Sequence, residues 1–320
     1  MITFLSTRSH RHHIEHVSEE LGKQLFRVRT YDWLLWRKVL PLGTWIFTDC
    51  ERLSCWELEI TCRYATALEK AGARLINDPR TFLPRGSLLK ALLRTQINSF
   101  SVWRPVDGEQ ATRFPVFLRT ESAHRGALSE LLHSQPEIDR ELSRLVAQGF
   151  PLRDLLIVEF RAQELAELPG AFRKHAAFMV GDELIAGPPV TDTTWHAKFG
   201  APGVATEEHY LADREDSESM PHKDTLRRGF EIAGVSFGRM DYAIVNGVPE
   251  IYEINTNPHI RALTKHHSKV RLETVAASNR SVVEAVRVLD RPSPQARIDV
   301  DLPRLARSWK SRLQFSRWQP

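Results

Sequence analysis

The sequence predicts a mixed α/β (α+β) fold, on three observations. Residues 1–80 alternate strand-like apolar runs with helical spacing in a βαβ-like order, the pattern of a small α/β domain. Two later turn signals, Gly181-Asp182 and Asn246-Gly247, each join two runs of strand-like residues, as antiparallel hairpins do. Helix-period stretches lie between these groups, and 320 residues are enough to bury two or three cores.

Taken in order, residues 2–6 read as a strand, 14–27 as a helix and 43–48 as a second strand closed by Asp49. Helical spacing over 55–71 stops at Gly72 and leads into a strand at 73–76, which Asn77-Asp78-Pro79 terminates. Residues 86–96 form a helix that Ser87 can cap, with Lys90 and Arg94 four apart on one side. A strand at 114–119 runs into the polar loop 120–126, and a helix at 137–148 precedes a strand at 155–160. Residues 172–180 and 183–186 flank the first hairpin turn, and a helix at 222–233 leads into the second hairpin. Beyond 268 the chain reads as a helix and then a Pro-interrupted basic tail.

Composition narrows the class. Hydrophobic content of 42% and charged content of 26% are those of an ordinary globular protein. The opening apolar run is too short for a signal peptide, and the segment from Tyr31 to Phe47 is broken by Arg37, Lys38 and Pro41, so neither spans a membrane. A cytoplasmic location is expected. Cys50, Cys55 and Cys62 fit no zinc spacing and read as reduced thiols. The His-rich stretch from His10 to His16 reads as the start of a surface helix, with metal ligation as its alternative. The charge of +4 and pI near 9.0 are mild, with basic residues concentrated between Arg304 and Arg312. Such a tail reads as a solvated helix end rather than a nucleic-acid contact, and mild basicity also suits an anionic nucleotide and an acidic substrate.

The segment from Arg239 to Pro258 carries the chemistry. Alternation places Met240, Tyr242 and Ile244 on one face and Asp241, Ala243 and Val245 on the other. On the next strand Tyr252 and Ile254 share a face, and Glu253 and Asn255 share the opposite one. Two carboxylates and an amide on one face would make an oxygen-rich cluster suited to Mg²⁺. Loop length decides whether it forms. A two-residue Asn246-Gly247 loop pairs Asp241 with Tyr252 and separates the acids. A three-residue loop, Asn246-Gly247-Val248 closed by Val245 and Pro249, pairs Asp241 with Glu253 and collects Met240, Tyr242, Ile244, Tyr252 and Ile254 on one apolar face. The longer loop is expected; a surface hairpin with solvated acids is the plain alternative.

From about residue 75 to 260 the order of elements resembles the ATP-grasp superfamily, in particular the glutathione synthetase-like carboxylate–amine ligases. The segment DYAIVNGVPEIYEINTNP is similar to that family's terminal metal-binding hairpin. The resemblance implies that Asp241, Glu253 and Asn255 bind Mg²⁺, two ions in all with Mn²⁺ as a substitute, and that these bridge the phosphates of ATP. It also implies an N-terminal α/β domain (1–80), a lid subdomain (81–160), an antiparallel-sheet core (161–290) and a basic tail (291–320), with nucleotide bound between lid and core. FPVFLR is similar to a strand ending in a phosphate-binding lysine, but Arg119 stands there. The family's earlier lysine falls near Arg85 or Lys90, and Lys90 is taken for the site. LLIVEFR looks like the hinge strand, whose backbone from Val158 to Phe160 would read adenine while Glu159 or Glu164 takes the ribose. FRKHAAFMVGDELIAG resembles the strand pair carrying a phosphate-facing cation, Arg173 or His175. Lys198 and Arg261 are further candidates for the transferred phosphoryl group or a substrate carboxylate. Surface cations and charged strand ends are the plain readings of these. The loop over the phosphates has one glycine, Gly126, where the family's is commonly rich in them.

The implied activity is ATP- and Mg²⁺-dependent activation of a carboxylate as an acyl phosphate for attack by an amine or thiol. Arg119, Arg173 and Arg261 would act on the reacting groups, because phosphoryl transfer to a carboxylate needs cations to screen both anions. The sequence holds no convincing Ser-His-Asp or Cys-His arrangement, and this chemistry needs none. The partners are ATP and small-molecule or peptide acids and amines; a homodimer stays open, and neither membrane nor nucleic acid is expected. A kinase of the same fold and a non-catalytic nucleotide- or partner-binding relative are the alternatives.

Overall fold

The computed structural model describes residues 1–122, 126–197, 200–291 and 297–300. The N-terminal sheet is built from β1 (Ile2–Ser6), buried along its whole length, and three parallel partners. The helix α1 (Glu15–Leu25) is broken at Gly22, whose φ is 71°. The expected helix to residue 27 therefore ends early, and Phe26–Thr30 forms β2 in register with β1. After α2 (Tyr31–Leu35) and β3 (Val39–Pro41) come β4 (Thr44–Phe47), α3 (Cys55–Lys70) and β5 (Arg74–Ile76). A reciprocal capping box between Ser54 and Glu57 fixes the start of α3. The sheet order β2-β1-β4-β5 reverses direction between β1 and β4, and in open parallel sheets ligands bind in the crevice beyond the strand ends at such a reversal.

The middle of the chain comprises α4 (Arg85–Arg94), β6 (Val102–Trp103), β7 (Val116–Thr120), α5 (Gln135–Ala147) and β8 (Leu155–Glu159). Its strands pair antiparallel in the order β6-β8-β7, and Val116, Leu118, Leu155 and Ile157 close a small core on Ile138 and Leu145 of α5. The third sheet contains β9 (Glu164–Leu165), β10 (Leu168–Val180) and β11 (Glu183–Asp192), and then β12 (Phe237–Val245) and β13 (Val248–Asn255). Two helices intervene, α6 (Glu207–Ser219), which the sequence reading did not anticipate, and α7 (Lys223–Ala233). Helix α8 (Lys269–Arg287) follows, and β14 (Arg297–Asp299) pairs with β3.

Each face of the sheet β11-β10-β12-β13 has its own core. Phe178, Val180 and Phe237 pack with Ile2 and Phe4 of β1 and with Val282 and Val286 of α8. Ala177, Met179, Met240 and Ile251 pack on Leu88 and Leu89 of α4 and Leu226 and Phe230 of α7. Burial on both sides makes this sheet the rigid element to which the rest is referred. Cys50, Cys55 and Cys62 are free thiols.

The register of the second hairpin corrects the expected loop. Val245 pairs with Val248, so the turn is the two-residue Asn246-Gly247, with φ of 51° and 79° as a type I′ turn requires. Pairing continues to Tyr242 opposite Ile251, and the next pair is Asp241 opposite Glu253. Tyr252 is therefore an extra, unpaired residue, a β-bulge that restores the register the short turn would have lost. Ile251, rather than Tyr252, shares the core side with Met240, both reaching Gly229 of α7. Tyr252 instead joins Asp241, Ala243 and Glu253 in lining a pocket.

Gly238 shows how tightly the strands meet there, since a Cβ would lie 2.8 Å from the Asn255 backbone oxygen. Gly238→Ala should lower stability by roughly 1–3 kcal/mol, the usual cost of overpacking, as read from urea unfolding. An unchanged midpoint would mean that the hairpin relaxes freely.

Candidate active site

Asp241 and Glu253 are brought together by the bulge, and each is held by two cations. Asp241, 3% exposed, accepts from Arg239 through Nε at 2.8 Å and Nη2 at 3.2 Å, with the Lys174 ammonium 3.2 Å away. Glu253 Oε2 accepts from Arg85 at 2.9 Å and Arg119 at 2.5 Å. Asn255 points its Oδ1 at the backbone N–H of Asn257, 2.9 Å away. Arg85 also donates to the Thr120 carbonyl. Burial, and then the neighbouring Arg119, lower the Arg85 pKa to about 10, while Glu253 opposes that shift. The charge of Asp241 raises the pKa of Arg239.

Four cations thus face two carboxylates, an excess of positive charge at a largely buried spot. The Nε of Arg119 is buried and has no hydrogen-bond partner, so one charged donor there is left for an anion. Among the described residues no group of three or more His, Cys, Asp or Glu side chains is disposed to hold a metal ion. The set on this face is two carboxylates and an amide, which suits Mg²⁺, an ion that takes one or two carboxylates and completes its shell with water and phosphate oxygen.

Beside the carboxylates lies a pocket of about 120 Å³ between the middle sheet and the hairpin sheet. Its walls are aromatic: Trp195 meets Phe117 at 4.9 Å and Phe160 at 5.5 Å between ring centroids, and Phe100 lies 6.1 Å from Tyr252. The Tyr252 hydroxyl donates to the Arg161 carbonyl at 2.5 Å, and burial raises its pKa. Planar apolar walls with a charged end suit a heteroaromatic base that carries phosphates. Glu159 and Phe160 line this pocket, but Glu159 already accepts from the Ser101 amide and from Arg113, both at 2.7 Å. The N–H groups of Glu159 and Phe160 donate to the Ser101 and Pro115 carbonyls, so the hinge donors expected to read a base are engaged within the protein.

Other candidates fall elsewhere. Lys90 is paired with Glu109 at 2.6 Å, and it is Arg85, at the start of the same helix, that reaches Glu253. Glu164 is exposed and accepts from the Gly170 amide. Ala176 pairs with Asp241, so alternation gives Lys174 the carboxylate side of β10 and His175 the opposite side, while Arg173 also lines the pocket. His175 stacks on Tyr242, and Arg173, at the pocket's end, lies 3.6 Å from Asp213 of α6. Arg261 is exposed on the loop after β13, and Lys198 lies outside the described residues. Arg239 and Lys174 were not anticipated. Period-two spacing marks Arg239, two residues before Asp241, whereas Lys174 needed the strand pairing.

Comparison with solved structures places this architecture. The D-alanine–D-alanine ligase of Coxiella burnetii superposes with a TM-score of 0.52 at 12% identity, over 90% of this chain and 94% of that one. The ATP-grasp ligase PsnB, complexed with a phosphomimetic variant of its minimal precursor, Mg and ADP, gives a TM-score of 0.50 at 12% identity, over 88% and 97%. The chain has the ATP-grasp fold. No protein-family model and no curated protein sequence matches it.

The pKa values of the partly buried His175 and the buried Asp213 are shifted in opposite senses. Burial, with Arg173 and His222 nearby, lowers the His175 pKa from 6.5 to about 4. Burial raises that of Asp213 from 3.8 to about 6, against the pull of Arg173 and Arg271. Between pH 6.5 and 4 the unfolded chain takes up the His175 proton first, so that group removes stability as pH falls. Between pH 6 and 3.8 the folded chain takes up the Asp213 proton first, so that group adds stability. His175→Gln should therefore gain stability relative to the parent as pH falls from 7 to 4.5, and Asp213→Asn should lose it, in urea unfolding at several pH values. Parallel pH profiles for all three proteins would contradict both assignments.

Proposed function

We propose that the protein is an ATP- and Mg²⁺-dependent ligase that activates a carboxylate as an acyl phosphate and passes the acyl group to an amine or thiol. The observation that carries this reading is the convergence of Asp241 and Glu253 with four cations beside an aromatic pocket, with Asn255 two residues beyond Glu253 on the same strand. The base would lie against the wall that Trp195, Phe117 and Phe160 form, with its phosphates directed at Arg85, Arg119, Lys174 and Arg239. Asp241, Glu253 and Asn255 would hold Mg²⁺, as one or two ions and replaceable by Mn²⁺, which would supply positive charge to screen the transferring group.

The side chains have two tasks. Arg119 and Arg85 neutralise phosphate charge, so that an anionic carboxylate can approach the terminal phosphorus without repulsion. Arg239 and Lys174 orient Asp241 and cover the opposite edge. Attack by the carboxylate releases ADP, and attack by the amine or thiol on the acyl phosphate releases phosphate. Positioning and exclusion of water supply the rate, and no protein nucleophile is required. The ligases among the similar structures are consistent with this chemistry, and a cytoplasmic, small-molecule or peptide-directed role follows from it. Among the described residues no helix is long and apolar enough to cross a membrane.

A second reading, a protein that binds nucleotide without turning it over, is favoured by one observation. Two bulky guanidinium groups occupy a single oxygen of Glu253, and an arginine fork is a poorer point charge than an ammonium.

Hypothesis and test: a slowly hydrolysed ATP analogue at a hundredfold excess over its Kd, with Mg²⁺, should stabilise the parent by about 2.7 kcal/mol. Asp241→Asn and Glu253→Gln should each abolish the Mg²⁺-dependent part of the thermal shift. If both variants respond like the parent, the hairpin does not hold the metal–nucleotide complex. Mg²⁺-dependent ADP release in the presence of acids and amines separates the ligase from the binding protein, and trapping by hydroxylamine separates it from a kinase.

A further inference from the structure

A histidine cluster remains that the nucleotide site does not use. It lies beyond the C-terminal ends of β1 and β4, where the sheet order reverses. The turn Arg8–Ile14 carries His10, His12 and His13, and the chain leaving β13 adds His259. The ring of His13 lies 4.5 Å from His12, 5.2 Å from His10 and 5.1 Å from His259, on which it stacks. The cluster is tied to the hairpin exit. His13 Nδ1 is 2.9 Å from the Asn257 carbonyl oxygen, and Asp49 accepts from both the Thr7 amide and the Asn257 side chain at 2.9 Å.

The surroundings are basic and not fully satisfied. The charge of Arg52 acts on His10 and His13, and those of Arg261 and Arg239 act on His259. The Arg52 side chain is 10% exposed, and its Nε makes no hydrogen bond, with Asp49 3.4 Å and Glu51 3.6 Å away. Asn257 Oδ1, in a residue 1% exposed, also lacks a partner. Glu15 is the other acid near His259, while Arg11 and Arg261 are exposed at the rim. Arg239, whose charge acts on His259, is also paired with Asp241.

We propose that this crevice is the subsite for the acid substrate, and that it selects an acid with a second anionic group, a carboxylate or a phosphate, at the end away from the reacting carboxylate. This rests on the ligase reading. The acid presents one carboxylate to the nucleotide beside Arg239 and Asp241, and its remainder follows the hairpin exit toward His259, His13 and Arg52. Guanidinium and imidazole N–H groups donate to the distal anion in charge-assisted bonds. A cationic amine would be repelled there, which leaves the acceptor to approach from another side.

The test is a titration of the full chain, followed by NMR of the histidine ring signals, with glutarate, 3-phosphonopropionate, butyrate and 4-aminobutyrate. Glutarate or 3-phosphonopropionate should shift the His10, His13 and His259 signals and bind roughly tenfold more tightly than butyrate, the scale of one charge-assisted contact. Whichever of the two binds more tightly names the distal group. Arg261→Gln and His259→Gln, both at exposed positions, should each remove most of that advantage. Dianions that bind no tighter than butyrate, or an equal response to 4-aminobutyrate, would overturn the subsite. Stabilisation by the ATP analogue with Mg²⁺ is read in parallel. If dianions bind as expected but the analogue does not, the anion subsite stands and the ligase reading fails. If the analogue binds and the dianions show no preference, the reverse holds.

Discussion

Tyr252, unpaired in the ladder between β12 and β13, decides which side of the sheet carries Glu253. The two-residue Asn246-Gly247 turn matches the natural twist of a hairpin, but by itself it sets Asp241 opposite Tyr252 and sends Glu253 to the other face. One extra residue reverses that outcome, because side chains alternate with a period of two. The bulge is fixed by burial on both sides. Ile251 is wholly buried against α7, while Tyr252 packs near Phe100 and bonds the Arg161 carbonyl. A slip in either direction would expose one of these side chains and put the other against the wrong neighbours.

The electrostatics follow from that placement. Two carboxylates set side by side in a largely buried position repel each other and lose hydration, and cations at hand offset both costs. The chain supplies them from three separate regions: Arg85 from α4, Arg119 from β7, and Lys174 and Arg239 from β10 and β12 of the hairpin sheet. Each cation therefore also joins parts of the fold, and the site and the tertiary structure share one network. The excess of positive charge that remains is what an anionic phosphate chain would neutralise.

Much of this was legible in the sequence, for identifiable reasons. The parallel strands at the N-terminus, the hairpin strands and helices α3, α4, α5, α7 and α8 have strong periodicity or clear caps, and they form close to where those signals put them. Strand β2 was hidden because the helical spacing of α1 runs on to residue 27, while the positive φ of Gly22 breaks the helix and it ends at Leu25. Helix α6 was hidden because its residues are mostly polar, with Tyr210 and Asp213 its only buried positions. Within the site, the facing of Asp241 and Glu253 was anticipated but assigned to a longer turn, since a bulge leaves no local signal of its own. Choosing Lys90 over Arg85 followed helix spacing alone, and only the tertiary packing of α4 on β13 shows which residue meets Glu253.

The measurement closest to the central claim is a crystal structure of the chain with Mn²⁺ and a slowly hydrolysed ATP analogue, using the anomalous signal to locate the metal. The account predicts manganese bound directly by side-chain oxygens of Asp241, Glu253 and Asn255, with the phosphates against Arg85, Arg119, Lys174 and Arg239 and the base against the wall of Trp195 and Phe160. Nucleotide bound elsewhere, or bound in the pocket with no metal at Asp241 and Glu253 while both stay paired to their arginines, would contradict it.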